Sequence, residues 1–163
     1  MPGRTRRIPL LILICLIVLA DQWTKALARE HLQFQPKYYG VVSLVYAENE
    51  GAFLSLGSTL PRNVRVGIFT VAVAIAVGVA LYLLMAGRVV GLDSVAVALI
   101  GAGGIGNLID RLFRGGRVTD FIFVSFGPEW WMHTGVFNVA DMAITGGVIW
   151  LLISSFLPKK SFS

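Results

Sequence analysis

The longest uncharged stretch of this chain, Val66 to Ala86, is long enough to cross a bilayer as one helix. Three further apolar runs, Ile8–Ala20, Val95–Ile109 and Met142–Leu157, reach the same length only by taking in ionisable residues. A spanning helix needs about 20 mostly apolar residues. The first run must therefore absorb Asp21, Gln22 and Lys25, the third reaches Asp110 and Arg111, and the fourth takes in Asp141 and Asn138. This pattern predicts an all-α transmembrane bundle of four helices, roughly 8–28, 64–86, 92–112 and 137–157, with long loops at roughly 29–63 and 113–136, in one membrane domain over 1–163. The chain is 56% hydrophobic and 14% charged, where a soluble domain carries about a quarter charged residues.

Alternation of the spans puts the ends of helices one and three, and the start of helix four, on one side. At about 1.5 Å per residue, Asp21 lies about 21 Å along its helix from Arg7, Asp110 about 25 Å from Asp93, and Asp141 about 27 Å from Lys159. All three carboxylates thus sit in the outer part of a hydrocarbon layer about 30 Å thick. Ionisable groups at that depth are costly and mark function or a specific pairing. The opposite face carries Arg4, Arg6, Arg7, Arg88, Lys159 and Lys160 in short segments. Short basic segments stay inside, which predicts both termini in the cytoplasm and the carboxylates near the extracytoplasmic leaflet. The net charge of +5 could suggest nucleic acid, but it fits this flanking pattern better, and no nucleic-acid partner is expected.

The long loops carry strand signals. Val41–Ala47 is β-branched and aromatic, preceded by Gly40 and followed by the turn signal Asn49-Glu50-Gly51. Phe121–Phe126 is a second extended stretch, and Trp130 and Trp131 suit a membrane interface. A small sheet on the outer leaflet is expected. The single Cys15 and two histidines, His31 and His133, offer neither a disulfide framework nor a cysteine cage, and no metal-ligand spacing is present. Basic residues, an apolar run and Cys15 imitate a lipoprotein signal peptide, but bulky Ile14 stands where cleavage needs a small residue.

Four polar clusters face one compartment. Asp21 and Lys25 share a helix face and read as a structural pair. Asn107, Asp110 and Arg111 share another, within a glycine-rich segment (101, 103, 104 and 106) suited to close helix packing. Arg111 either holds Asp110 or greets a substrate carbonyl or phosphate. Asp120 follows helix three, its nearest basic neighbour in sequence being Arg117, and Asn138 and Asp141 open helix four. Two carboxylates brought together raise one pKa strongly, leaving one protonated and one ionised, as in aspartic proteases. Intramembrane carboxylates also mark ion pathways, and a carboxylate–His133 metal hydrolase is a third possibility.

In order, Asp21-Gln22-Trp23-Thr24-Lys25, Asn49-Glu50-Gly51-Ala52-Phe53, Gly106-Asn107-Leu108-Ile109-Asp110-Arg111, Val118-Thr119-Asp120-Phe121 and Phe137-Asn138-Val139-Ala140-Asp141 resemble bacterial lipoprotein signal peptidase, an aspartic peptidase also called signal peptidase II. The resemblance implies cleavage of prolipoproteins before a diacylglyceryl-modified cysteine, with Asp120 and Asp141 as the catalytic pair. It implies substrate contacts or support from Asn49, Gly51, Asn107, Arg111, Asn138 and Asp110, and a structural role for Asp21 and Lys25. It further implies an extracytoplasmic β-cradle and a place in the bacterial inner membrane with membrane lipid as surroundings; no cofactor or metal is expected, and the chain is expected as a monomer, a state the sequence itself does not reveal. Met142 stands where a serine is common, Thr134-Gly135-Val136 where many members have a proline, and Ala52-Phe53-Leu54 varies a commoner order. None of these departures touches a carboxylate.

Overall fold

A computed structural model describes residues 7–50 and 61–157, except the side chain of Trp130. Four helices, α1 (Arg7–His31), α2 (Arg62–Met85), α3 (Gly91–Phe113) and α4 (Val139–Phe156), are each long and apolar enough to cross a membrane. A three-stranded antiparallel sheet, β1 (Lys37–Tyr39), β2 (Val42–Asn49) and β3 (Val118–Val124), occupies the two long connections in the order β1-β2-β3.

Helix α3 is central and packs against each of the other three helices. Most of its buried residues are small: Ala96, Ala98, Gly101, Ala102, Gly103, Gly104 and Gly106 are all buried. The large apolar residues point outward instead, with Leu16, Ile75, Leu152 and Phe156 among the exposed. In lipid, apolar side chains gain nothing by hiding from their surroundings, so close backbone approach and polar contacts hold helices together. Glycine is required for that approach at Gly103, where a Cβ would run into the Ala140 carbonyl oxygen, and at further places along the contact. A Cβ on Gly147 would lie 2.6 Å from the Ala96 carbonyl oxygen, and one on Gly106 would lie 2.5 Å from Asp21 Oδ2. At the far end from the carboxylates, Trp150 Nε1 donates to Asp93 Oδ1 at 3.0 Å and ties α4 to α3.

Helix α1 runs past the expected end near residue 28 to His31. Gly40, with φ of 63°, makes the turn from β1 to β2; β1 itself follows Pro36 and was too short to show as a strand in the sequence. Strands β2 and β3 pair Leu44 with Ile122, Ala47 with Asp120 and Asn49 with Val118, with a register irregularity between Leu44 and Ala47. Gly115 and Gly116, at φ of 62° and 86°, end α3 and turn the chain straight into β3. The strand therefore begins at Val118, before the expected Phe121, and Asp120 stands inside it. Phe137 then bridges to Ile122: Ile122 N donates to Phe137 O at 2.8 Å and Phe137 N to Ile122 O at 2.9 Å. That short bridge sets the first residue of the α4 cap, Asn138, beside Asp120.

The outer end of the sheet is held by ion pairs. Glu50 accepts from Arg62 at 2.9 Å and Arg65 at 3.2 Å, while Arg117 reaches Glu48 at 2.6 Å and Glu50 at 3.4 Å. Trp131 lies in a short 3-10 turn and is exposed. His133 stacks edge-on against Phe123, with its Nε2 2.6 Å from the Gly127 carbonyl.

Candidate active site

The site grows from the N-terminus of α4. The first amide groups of a helix lack partners within it, and a side-chain acceptor at the cap supplies one. Asn138 is that cap: its Oδ1 accepts from Asp141 N at 2.9 Å, and Asp141 Oδ2 accepts from Asn138 N at 3.2 Å. This reciprocal capping box holds Asp141 rigidly in the first turn. A second acceptor arrives from another helix, since Asp21 Oδ1 takes the Ala140 N–H at 2.9 Å. Two carboxylates at a helix N-terminus also complement its positive end.

Asn138 is fully buried and its Nδ2 faces three acceptors: Asp120 Oδ1 at 2.6 Å, the Thr119 carbonyl at 3.3 Å and Asn107 Oδ1 at 3.3 Å. One residue thus touches both Asp120 and Asp141. Asn49, at the end of β2, also hydrogen-bonds the Asp120 side chain. Asn107 Nδ2 donates to Asp141 Oδ1 at 2.8 Å. Asp120 is 2% exposed. Its pKa is raised to about 6 by burial first and by the Asp141 charge second, against the lowering effect of the hydrogen bonds from Asn138 and Asn49.

Beneath this pair lies a wholly buried charged cluster. Lys25 Nζ sits 2.9 Å from Asp21 Oδ2, 3.3 Å from Asp110 Oδ2 and 2.9 Å from Asn107 Oδ1. Asp21 and Lys25 do pair, as their spacing suggested, and the ammonium also binds α3. Asp110 Oδ2 accepts the Thr119 N–H at 3.0 Å, while Oδ1 has no hydrogen bond among the described residues and lies 3.5 Å from Arg114 Nε. Arg111 does not hold Asp110. Among the described residues it donates through Nη1 to the carbonyl of Asn107 at 3.2 Å, and its buried Nε has no partner. The carboxylates whose charge it feels are Asp141, Asp120 and Asp110.

Of the residues singled out in the sequence, Asp21, Lys25, Asn49, Asn107, Asp110, Arg111, Asp120, Asn138 and Asp141 all meet in this region. Gly51 lies outside the described residues. Arg117, the nearest base to Asp120 in sequence, instead serves Glu48 and Glu50. Three contributors went unrecognised. Gln22 bridges Asp21 Oδ2 at 3.1 Å and the Gly106 carbonyl at 3.0 Å. Thr119 supplies its backbone N–H and C=O, and Arg29 steadies it by donating to its Oγ1 at 3.1 Å. Only Gln22 and Thr119, lying inside two of the motifs, carried any sequence signal. No group of three histidine, cysteine, aspartate or glutamate side chains among the described residues is arranged to hold a metal ion.

This geometry can be set beside known proteins. A family model for signal peptidase (SPase) II matches residues 13–157. A lipoprotein signal peptidase of Syntrophus aciditrophicus is 36% identical over 94% of this chain and 95% of its own length. One of Deinococcus radiodurans is 36% identical over 98% of this chain and 86% of its own. Two solved bacterial membrane enzymes share the fold. One has a TM-score of 0.77 at 24% identity, covering 95% of this chain and 92% of its own; the other scores 0.75 at 25% identity, covering 94% of each.

Proposed function

The chain belongs to the signal peptidase II family, and on that premise we propose that it removes signal peptides from diacylglyceryl-modified prolipoproteins with Asp120 and Asp141 as its catalytic pair. The observation that carries this reading is Asn138, which hydrogen-bonds both carboxylates at once. A water held between the two is deprotonated by Asp141, whose oxygens accept only amide N–H groups among the described residues. Its hydroxide attacks the scissile carbonyl as Asp120, the member with the raised pKa, gives its proton to the carbonyl oxygen. Collapse of the tetrahedral species returns a proton to the leaving nitrogen and restores the singly protonated pair. The chemistry needs no cofactor or metal, so chelators leave the rate unchanged.

The signal helix enters sideways between the spans, and the lipid on the cysteine stays in the outer leaflet, which fixes the scissile bond near the pair. Arg111, whose buried Nε is without a partner among the described residues, contacts substrate carbonyls or the lipid ester, as do Asn49 at the end of β2 and Gly51. Purified protein in detergent should cleave a diacylglyceryl-modified precursor and leave the same precursor without lipid almost untouched. Equal cleavage of both would remove the lipid from the recognition argument, and cleavage of neither would refute the function.

The orientation that follows puts both termini in the cytoplasm and the sheet on the far side of a bacterial inner membrane, in one membrane unit acting as a monomer. Cysteines placed at Lys37 in β1 and at Arg88 between α2 and α3, in a Cys15→Ser background, should label from opposite faces in intact cells. Lys37→Cys should be the outer one; the reverse result would invert the topology.

A further inference from the structure

Asparagine carboxamides are symmetric in shape, and the groups around them decide which way they point. At Asn107 the deciding group is Lys25. A lysine ammonium has three donors and no acceptor, so the atom of Asn107 lying 2.9 Å from Lys25 Nζ must be the oxygen. The amide nitrogen then faces Asp141 Oδ1, at 2.8 Å. The same logic holds at Asn138, whose oxygen meets the donor Asp141 N–H at 2.9 Å and whose nitrogen meets Asp120 Oδ1 at 2.6 Å. Asn138 is locked by a backbone group that belongs to any folded α4. Asn107 is locked by a side chain two helices away in sequence, and Asn138 Nδ2 at 3.3 Å is its weaker second donor.

We infer that Lys25 is a positioning residue for the catalytic pair: its buried ammonium holds the Asn107 carboxamide so that the N–H2, and not the oxygen, is presented to Asp141. This rests on the reading of Asp120 and Asp141 as the catalytic groups. Both side chains at the Lys25–Asp21 contact are wholly buried, as is that of Asp110, so the ammonium is paired with two buried carboxylates. Balancing those two aspartates would not by itself require Asn107 as a third partner. The third bond connects the charged cluster to the site. Without it only the 3.3 Å contact from Asn138 Nδ2 orients the amide, and an oxygen set against Asp141 repels the carboxylate and displaces it from the position that activates water.

The experiment separates this role from a purely structural one by counting only folded enzyme. Lys25→Met protein is isolated as the monodisperse fraction with an intact thermal transition, and kcat and KM are measured on a lipidated precursor. The expected result is a kcat lower by about 10- to 100-fold, the cost of a slightly misplaced catalytic group, with KM within about twofold of wild type. A double-mutant cycle gives the path of the effect. In an Asn107→Ala background, Lys25→Met should lower kcat by no more than about twofold further, because the residue it acts through is gone. An unchanged kcat in folded Lys25→Met, or an equal loss in both backgrounds, would overturn the inference.

Removing the ammonium leaves two buried carboxylates with less compensation, so Lys25→Met is the variant at risk of not folding. Asn107→Asp then decides. It keeps an oxygen for Lys25 and replaces the N–H2 facing Asp141 by a second oxygen. A melting temperature near wild type with a kcat lower by a similar factor supports the inference, and a wild-type kcat overturns it. Failure of the dyad reading would show separately, as retained cleavage in Asp141→Asn.

Discussion

Asp120→Asn and Asp141→Asn are each expected to lower cleavage by about a thousandfold or more, in protein that remains inserted and packed. Asparagine nearly matches aspartate in shape, and its oxygen can still accept from Asn138 Nδ2 at position 120 or from Asn107 Nδ2 at position 141. What it lacks is the ability to take or release a proton. The double variant should be scarcely slower than either single one, because the two side chains act as a unit. Asp93→Asn is the control: it sits at the far end of α3 against Trp150 and should leave the rate unchanged. Substantial activity in folded Asp120→Asn would sink the two-aspartate mechanism, and the second carboxylate would have to be sought at Asp110.

The pair can also be watched without substrate. Burial and the Asp141 charge hold the Asp120 pKa at about 6, so a protonated-carboxyl infrared band assigned by its loss in Asp120→Asn should titrate near that pH. In Asp141→Asn the like charge is gone while the burial remains, so ionising Asp120 becomes easier and the midpoint should move down. An unmoved midpoint would mean that the two carboxylates do not feel each other. The same elevation has a consequence for the fold. Between the ordinary carboxylate pKa and about 6, the folded chain binds more protons at position 120 than the unfolded one. This group's contribution to stability is therefore full at low pH and lost as pH rises through about 6.

Arg111→Lys should lower kcat/KM by about 10- to 100-fold while leaving insertion and melting temperature close to wild type. The substitution retains a positive charge near Asp141, Asp120 and Asp110, so any loss reports the planar guanidinium rather than the charge. Arginine offers five donors in a fixed fork, of which Nη1 is engaged by the Asn107 carbonyl and the buried Nε is without a partner among the described residues. A lysine reaches with one mobile ammonium and cannot serve its own helix and a substrate carbonyl together. Activity within about twofold of wild type would reduce Arg111 to a bystanding charge.

Four spans, their length and their alternation were legible in the sequence, because membrane thickness sets the length of each apolar run and backbone hydrogen bonding in lipid demands helices. So was the meeting of Asp21, Asp110 and Asp141 at one depth, since helical rise converts sequence distance into height. The small residues of α3 announced a close-packed helix without naming its neighbours. Periodicity states which residues share a face of one helix, and says nothing about which helix that face will meet. Only the tertiary structure brought α1 against α3, so that Lys25 gained Asp110 and Asn107 beside the Asp21 its spacing had promised. It also left Arg111 without an ion pair to Asp110 among the described residues and sent Arg117 to Glu48 and Glu50. Asp120 depended on it most. Position 120 lies outside every span, and its place beside Asp141 comes from two glycines at positive φ that turn α3 into β3, and from the Ile122–Phe137 bridge that leads into the α4 cap. The bridge is a contact between segments, set by backbone hydrogen bonds that any side chain can accompany, and so it leaves almost no trace in the order of residues, while the glycines show there only as a break after helix three.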